Sequence, residues 1–154
     1  MKGDTIMSNI SNDVSAWRAI PLTKKVTRTP YMSVNQKLGR VGFNLAACDL
    51  ISEIFFFPYC TPLQKEDENG NVSVGFLFSK EATDSSLNLH KTMSKGKHKD
   101  VSSAFVYSRA LTDMLVKYLG ITEEVTQFHV VNNGNVMLYA TNKVPSKHPN
   151  TKDA

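Results

Sequence analysis

The sequence predicts an α+β protein of two similar strand–helix–β-hairpin halves forming a small pseudo-symmetric domain. Three observations carry that expectation. Two stretches with apolar residues at helical spacing each follow a strand-like run. Each begins at a residue suited to capping a helix N-terminus. Each is followed by two strand-like runs around an Asn-Gly turn signal.

Taken in order, residues 1–28 show little periodicity and read as a flexible basic arm, with Trp17 its anchor onto the domain or, as the alternative, a stacking partner for a base. "YMSVNQ" then alternates apolar and polar residues as a half-buried strand does. "QKLGR" is a turn in which Gly39 can take positive φ, and "RVGF" is a short returning strand. Asn44 stands at the N-cap of a helix over "LAACDLIS". "EIFFFPYC" and "NVSVGFLFS" read as aromatic strands, the first an edge strand or bulged at Pro58, joined by the loop "TPLQKEDENG".

The second half repeats the order. "SAFVY" is strand-like, Ser108 caps "RALTDMLVKYL", Gly120 stops it, and "TQFHVV" and "NVMLYAT" flank "NNGN". The resulting division is 1–28 arm, 29–84 first half, 85–102 lysine-rich linker, 103–142 second half and 143–154 tail. Setting "VGFNLAACDLI" beside "FVYSRALTDML" brings strand end, cap and apolar helix into the same order, as two related subdomains would.

Composition excludes several classes. A chain of 154 residues with 41% hydrophobic content can bury a moderate core. Its longest apolar run, "EIFFFPYC", is strand-sized and too short to cross a bilayer. The N-terminus lacks the apolar core of a signal peptide, so a cytoplasmic location is expected. The two cysteines, Cys48 and Cys60, read as small core residues rather than ligands or a disulfide.

The formal charge of +4 is modest but segregated. Residues 18–40 carry Arg18, Lys24, Lys25, Arg28, Lys37 and Arg40 without an acid. Residues 91–99 carry Lys91, Lys95, Lys97 and Lys99, also without one. Ten of the 18 basic residues thus lie in two short windows, the placement a polyanion-facing surface needs. Two solvated segments would show the same pattern.

The run "RTPYMSVNQKLGRVGFNLAACDLI" resembles the opening of a loose group of small, often phage-encoded α+β proteins. "SRALTDMLVKYLGITEEVTQFHVVNNGNVMLYA" is similar in outline to the strand–helix–hairpin of AbrB-type DNA-binding domains. Those resemblances imply a small dimeric α+β module that binds nucleic acid, and no individual site residue follows from them.

Catalytic patterns are missing from the sequence. It contains no P-loop, GxGxxG, HExxH, CxxC or GxSxG motif. His90 and His98 sit among lysines that oppose a metal cation, and His148 lies in the tail. Only His129 falls in a predicted strand. The acids of "EDE" and "EE" occupy predicted turns rather than a cleft. No catalytic residue, metal site or cofactor is expected.

Nucleic-acid binding has better ingredients. Lysines on loops neutralise phosphates, and aromatic strands offer stacking surfaces for unpaired bases. Strand alternation places Phe55 and Phe57 on one face, taken as core with Phe76 and Phe78, and Phe56 on the other with Tyr59. The expectation is a non-enzymatic, homodimeric module that prefers single-stranded DNA or RNA. Lys24, Lys25, Arg28, Lys37, Arg40, Lys91, Lys95, Lys97 and Lys99 would contact phosphate, and Phe56 or Tyr59 would stack. The alternative is a protein–protein or structural factor with no nucleic-acid role.

Overall fold

The computed structural model describes residues 16–17, 29–93 and 101–145. Its framework is nine strands: β1 Tyr31–Asn35, β2 Arg40–Phe43, β3 Tyr59–Glu66, β4 Val72–Ser79, β5 Leu87–Asn88, β6 His90–Met93, β7 Val101–Tyr107, β8 Val125–Asn133 and β9 Met137–Lys143. The helices are α1, Leu45–Asp49, and α2, Arg109–Leu119, with a single 3₁₀ turn at Ile54–Phe56.

All nine strands join one antiparallel sheet in the order β5-β3-β4-β9-β8-β1-β2-β7-β6. β5 lies on the β3 edge and β6 on the β7 edge, and only Leu89 separates them in the chain. The segment 87–93 therefore links the two edges and curls the sheet into a nearly closed barrel.

This overturns the α+β expectation of two pseudo-symmetric halves. The protein is mostly β-sheet, and α2 alone has the length of an ordinary helix. β1 pairs β8, β2 pairs β7 and β4 pairs β9, so the predicted halves interleave in one sheet. Apolar periodicity reports which face of a strand is buried; it carries no information on which strand lies beside it. α1 spans just five residues because the chain turns at Leu50 into the 3₁₀ turn.

That turn also corrects the reading of "EIFFFPYC" as a strand. Phe57 N–H bonds the Ile54 carbonyl, and the strand starts only at Tyr59, after Pro58. Phe55 is consequently exposed while Phe57 is buried, so the expected shared face does not exist. Conversely, "TPLQKE", read as loop, continues β3 against β4. The turn itself is confined to 67–71, where the Asp67 carboxylate accepts from the backbone N–H groups of Asn71 and Asn69 and from Nδ2 of Asn71. These donors, the Asn71 backbone first, hold the Asp67 carboxyl below its ordinary value.

Other local readings match the structure. Asn44 Oδ1 accepts from Ala47 N–H at 3.0 Å and from Tyr31 N–H at 3.0 Å, so one side chain caps α1 and fastens it to β1. Ser108 Oγ accepts from Leu111 N–H at 3.0 Å at the start of α2. Gly120, at φ 64°, ends α2 in the left-handed conformation that glycine adopts without steric cost.

Inside the barrel, Phe43 meets Phe76 and Phe78 edge-on at centroid distances of 5.2 and 5.6 Å. Met32, Val34, Val41, Val106 and Leu138 fill the space around them. β2 and β7 run antiparallel with Arg40 opposite Tyr107 and Phe43 opposite Ala104. α1 follows Phe43 and α2 follows Tyr107, so the two helices leave from opposite ends of the barrel. Ala47, Cys48 and Leu115 close the core from those ends. The outward-facing residues of β6, β7, β2, β1 and β8 are half-buried or exposed.

Candidate nucleic-acid interface

Strand alternation fixes what those five strands show to the outside. Met32 and Val34 of β1, Val41 and Phe43 of β2, Ala104 and Val106 of β7, and Thr126, Phe128 and Val130 of β8 point inward and are buried. The intervening residues therefore point outward. The register aligns them in rows across the strands. One row reads His90, Phe105, Gly42, Ser33, Gln127; the next reads Tyr107, Arg40, Asn35, Val125. A third, on the other side, places Tyr31 opposite His129.

An aromatic and cationic cluster occupies one end of these rows. The His90 ring stacks on Phe105 at 5.7 Å with an interplanar angle of 18°. Tyr107 stands edge-on to both, at 5.4 Å from His90 and 5.5 Å from Phe105. The Arg40 guanidinium carbon lies 5.6 Å from the Phe105 ring centre, a cation–π distance. Tyr107 remains 51% exposed, although large aromatic rings usually gain from burial. At the other end, Tyr31 and His129 are tilted at 5.3 Å. Two aromatic patches thus flank a stretch floored by Gly42 and Ser33.

Charge around these rows is mixed at the turn end, where the carbonyls of Glu123 and Glu124, just before β8, accept from the Gln36 side chain and backbone. None of the five strands contains an Asp or Glu. Lys37 is exposed in the turn that leads into Arg40. Arg109, at the start of α2, donates from Nη1 to the Gln36 carbonyl and from Nη2 to the Lys37 carbonyl, the latter at 2.9 Å. That arginine braces the turn carrying Lys37.

Of the residues singled out in sequence, Arg40 belongs to this cluster and Lys37 lies beside it. Phe56 is 61% exposed but sits in the 3₁₀ turn, edge-on to Phe55 at 5.0 Å. Tyr59 is half-buried in β3, between Ser79 and Asn88. Lys91 follows His90 and so points to the opposite side of β6. There its Nζ donates to the carbonyls of Ile54, Phe55 and Phe57 at 3.3, 3.0 and 2.8 Å. Desolvation in that position lowers its pKa. Lys24, Lys25, Arg28, Lys95, Lys97 and Lys99 lie outside the described residues. Trp17, expected to anchor the arm, is 78% exposed.

Sequence reasoning missed His90, Phe105, Tyr107 and Tyr31. "SAFVY" is apolar at both alternating sets, Ala104 with Val106 and Phe105 with Tyr107. Periodicity identifies the strand but cannot say which set is the core. Here the smaller pair fits against the core phenylalanines and the larger pair is left outside.

Other chemistry is sparse among the described residues. No three His, Cys, Asp or Glu side chains are gathered as a metal-binding group. A cleft of about 510 Å³ between α2 and the β3–β4 hairpin is lined by Leu63, Val74, Leu87, Leu111, Met114 and Tyr118, among others, with no acid, histidine or lysine. Cys48 and Cys60 are free and buried. Burial pushes the Cys48 thiol up to about 12, with the Asp49 charge adding to it, and burial raises Cys60 further. No helix among the described residues is long and apolar enough to cross a membrane.

No family model, curated protein or solved structure matches the chain.

Proposed function

We propose that this protein binds single-stranded nucleic acid across the outer face of β6, β7, β2, β1 and β8. The observation that carries this reading is the cluster of exposed Tyr107 and His90 with half-buried Arg40 and Phe105, on strands without an acid. An open ring face accepts any base by stacking, worth about 1–3 kcal/mol per base. Arg40 supplies phosphate attraction beside the rings, and Lys37 adds a second cation at the same end. In sequence, Lys95, Lys97 and Lys99 fall between β6 and β7, two strands of this face.

Duplex DNA is the poorer partner. A helix that enters the major groove needs basic and polar side chains free to reach base edges. α2 offers only Arg109 and Lys117, and the Arg109 guanidinium is committed to two backbone carbonyls.

A second reading follows from Phe55 and Phe56. This exposed edge-on pair lies on a turn remote in sequence from the basic cluster, and exposed aromatic residues are enriched where proteins meet. Salt separates the two. Fluorescence anisotropy with labelled single-stranded DNA, RNA and duplex DNA at about 50 and 200 mM salt should show steep loss of single-strand affinity with salt. Arg40→Ala and Phe105→Ala should each weaken that binding. Absence of binding at low salt would remove the nucleic-acid reading and leave Phe55 and Phe56 as the surface to pursue.

A further inference from the structure

We infer that the site takes an unstacked single strand laid across the β-strands, with one or more nucleotides crossing a floor made by Gly42 and Ser33. This rests on the nucleic-acid reading above and specifies how that ligand sits.

The geometry comes from the register. Phe105, Gly42 and Ser33 are successive neighbours in one row, on β7, β2 and β1. Tyr31 is two residues from Ser33 on the same face of β1 and lies opposite His129. With neighbouring strands ~4.8 Å apart and a rise of ~3.4 Å per residue, the backbone positions of Phe105 and Tyr31 are about 12 Å apart. Stacked bases repeat at about 3.4 Å. Bases resting on the two aromatic patches therefore cannot be stacked neighbours, and the chain between them crosses β2 at or beside Gly42. A duplex, whose bases stay stacked and edge-on to the outside, cannot present a ring face to either patch.

The floor is low because of its residue types. A Cβ added at Gly42 would come no closer than 3.8 Å to the Cβ of Phe105 and 3.9 Å to the Ala104 carbonyl oxygen, ordinary van der Waals distances. The fold does not need glycine at this position: it lies within a strand and takes no positive φ. What glycine provides is a low point in the row between Phe105 on one side and Ser33 on the other. Ser33 continues it with a small polar side chain, 3.5 Å from the Gln127 amide nitrogen. That hydroxyl and amide border the low point and offer hydrogen bonds to base edges, while Arg40 stands one row away to meet the backbone phosphate.

The test is Gly42→Val, measured with a labelled oligothymidylate of about eight nucleotides, within the span typical of single-strand binding folds. Val suits a strand, so circular dichroism and the melting temperature should match the parent. Affinity should fall by about tenfold or more, in the range of losing one stacked base. Ser33→Val fills the same floor from β1 and should act alike, which keeps the inference testable where Gly42→Val disturbs the fold. Parent-like affinity in both variants, with binding still lost in Arg40→Ala and Phe105→Ala, would overturn the crossing while the nucleic-acid reading stood. A parent protein that binds no single strand would overturn both.

Discussion

Lys91 separates two accounts of the basic residues, because its position in sequence suggests phosphate binding and its position in space does not. Nζ bonds three carbonyls of the Ile54–Phe57 turn, and Lys91→Met removes all three. A hydrogen bond to a charged group contributes about 1.5–3 kcal/mol. The three do not simply add. The ammonium loses hydration on folding, the cause of its lowered pKa, and the Phe55 carbonyl lies where water can replace the lysine. A net loss of about 2–3 kcal/mol is expected once that desolvation is offset. At about 2–4 °C per kcal/mol for a chain of this size, the melting temperature should fall by roughly 4–12 °C. Thermal unfolding followed by circular dichroism measures it, alongside the dependence of single-strand affinity on salt. The reasoning fails if Lys91→Met melts with the parent and instead lowers the slope of log affinity against log salt by about one phosphate contact.

Two further outcomes follow from buried groups. The raised thiols of Cys48 and Cys60 keep their protons in the folded state while an unfolded thiol ionises near its ordinary 9.0. Their contribution to stability is therefore whole below about pH 9 and is lost as pH rises towards 12, by up to about 1.4 kcal/mol per pH unit for each thiol. Urea unfolding across that range measures the decline, and Cys48→Ser with Cys60→Ser should flatten it. Thr126 Oγ1 is buried without a hydrogen-bond partner among the described residues. Thr126→Val removes an unpaired hydroxyl and keeps the shape, so stability should stay level or rise by up to about 1 kcal/mol; a loss of similar size would reveal a partner for that hydroxyl.

Much of the local structure was legible because its signals are local. Asn44, Ser108 and Gly120 mark helix ends through hydrogen bonds and backbone angles that span a few residues. Asn69-Gly70 and the "NNGN" turn fix two hairpins for the same reason. The barrel was not legible, since pairings such as β4 with β9 join residues about 60 apart and leave no periodic trace. Nor was the segment 87–93, where a histidine and a lysine side by side hide a strand whose alternation sends His90 outward and Lys91 inward. At the site, Arg40 was found through its charge, while Phe105 and Tyr107 were passed over because both faces of their strand are apolar. Only the barrel decides which face is the inside.

The most direct test of the central claim is an amide chemical-shift titration of the isotope-labelled protein with a single-stranded oligonucleotide. The account predicts shifts gathered on the outer residues of five adjacent strands, led by His90, Phe105, Tyr107, Arg40, Gly42 and Ser33, with β3, β4 and the Phe55–Phe56 turn unmoved. Shifts centred on Phe55 and Phe56, or none at all, would contradict it.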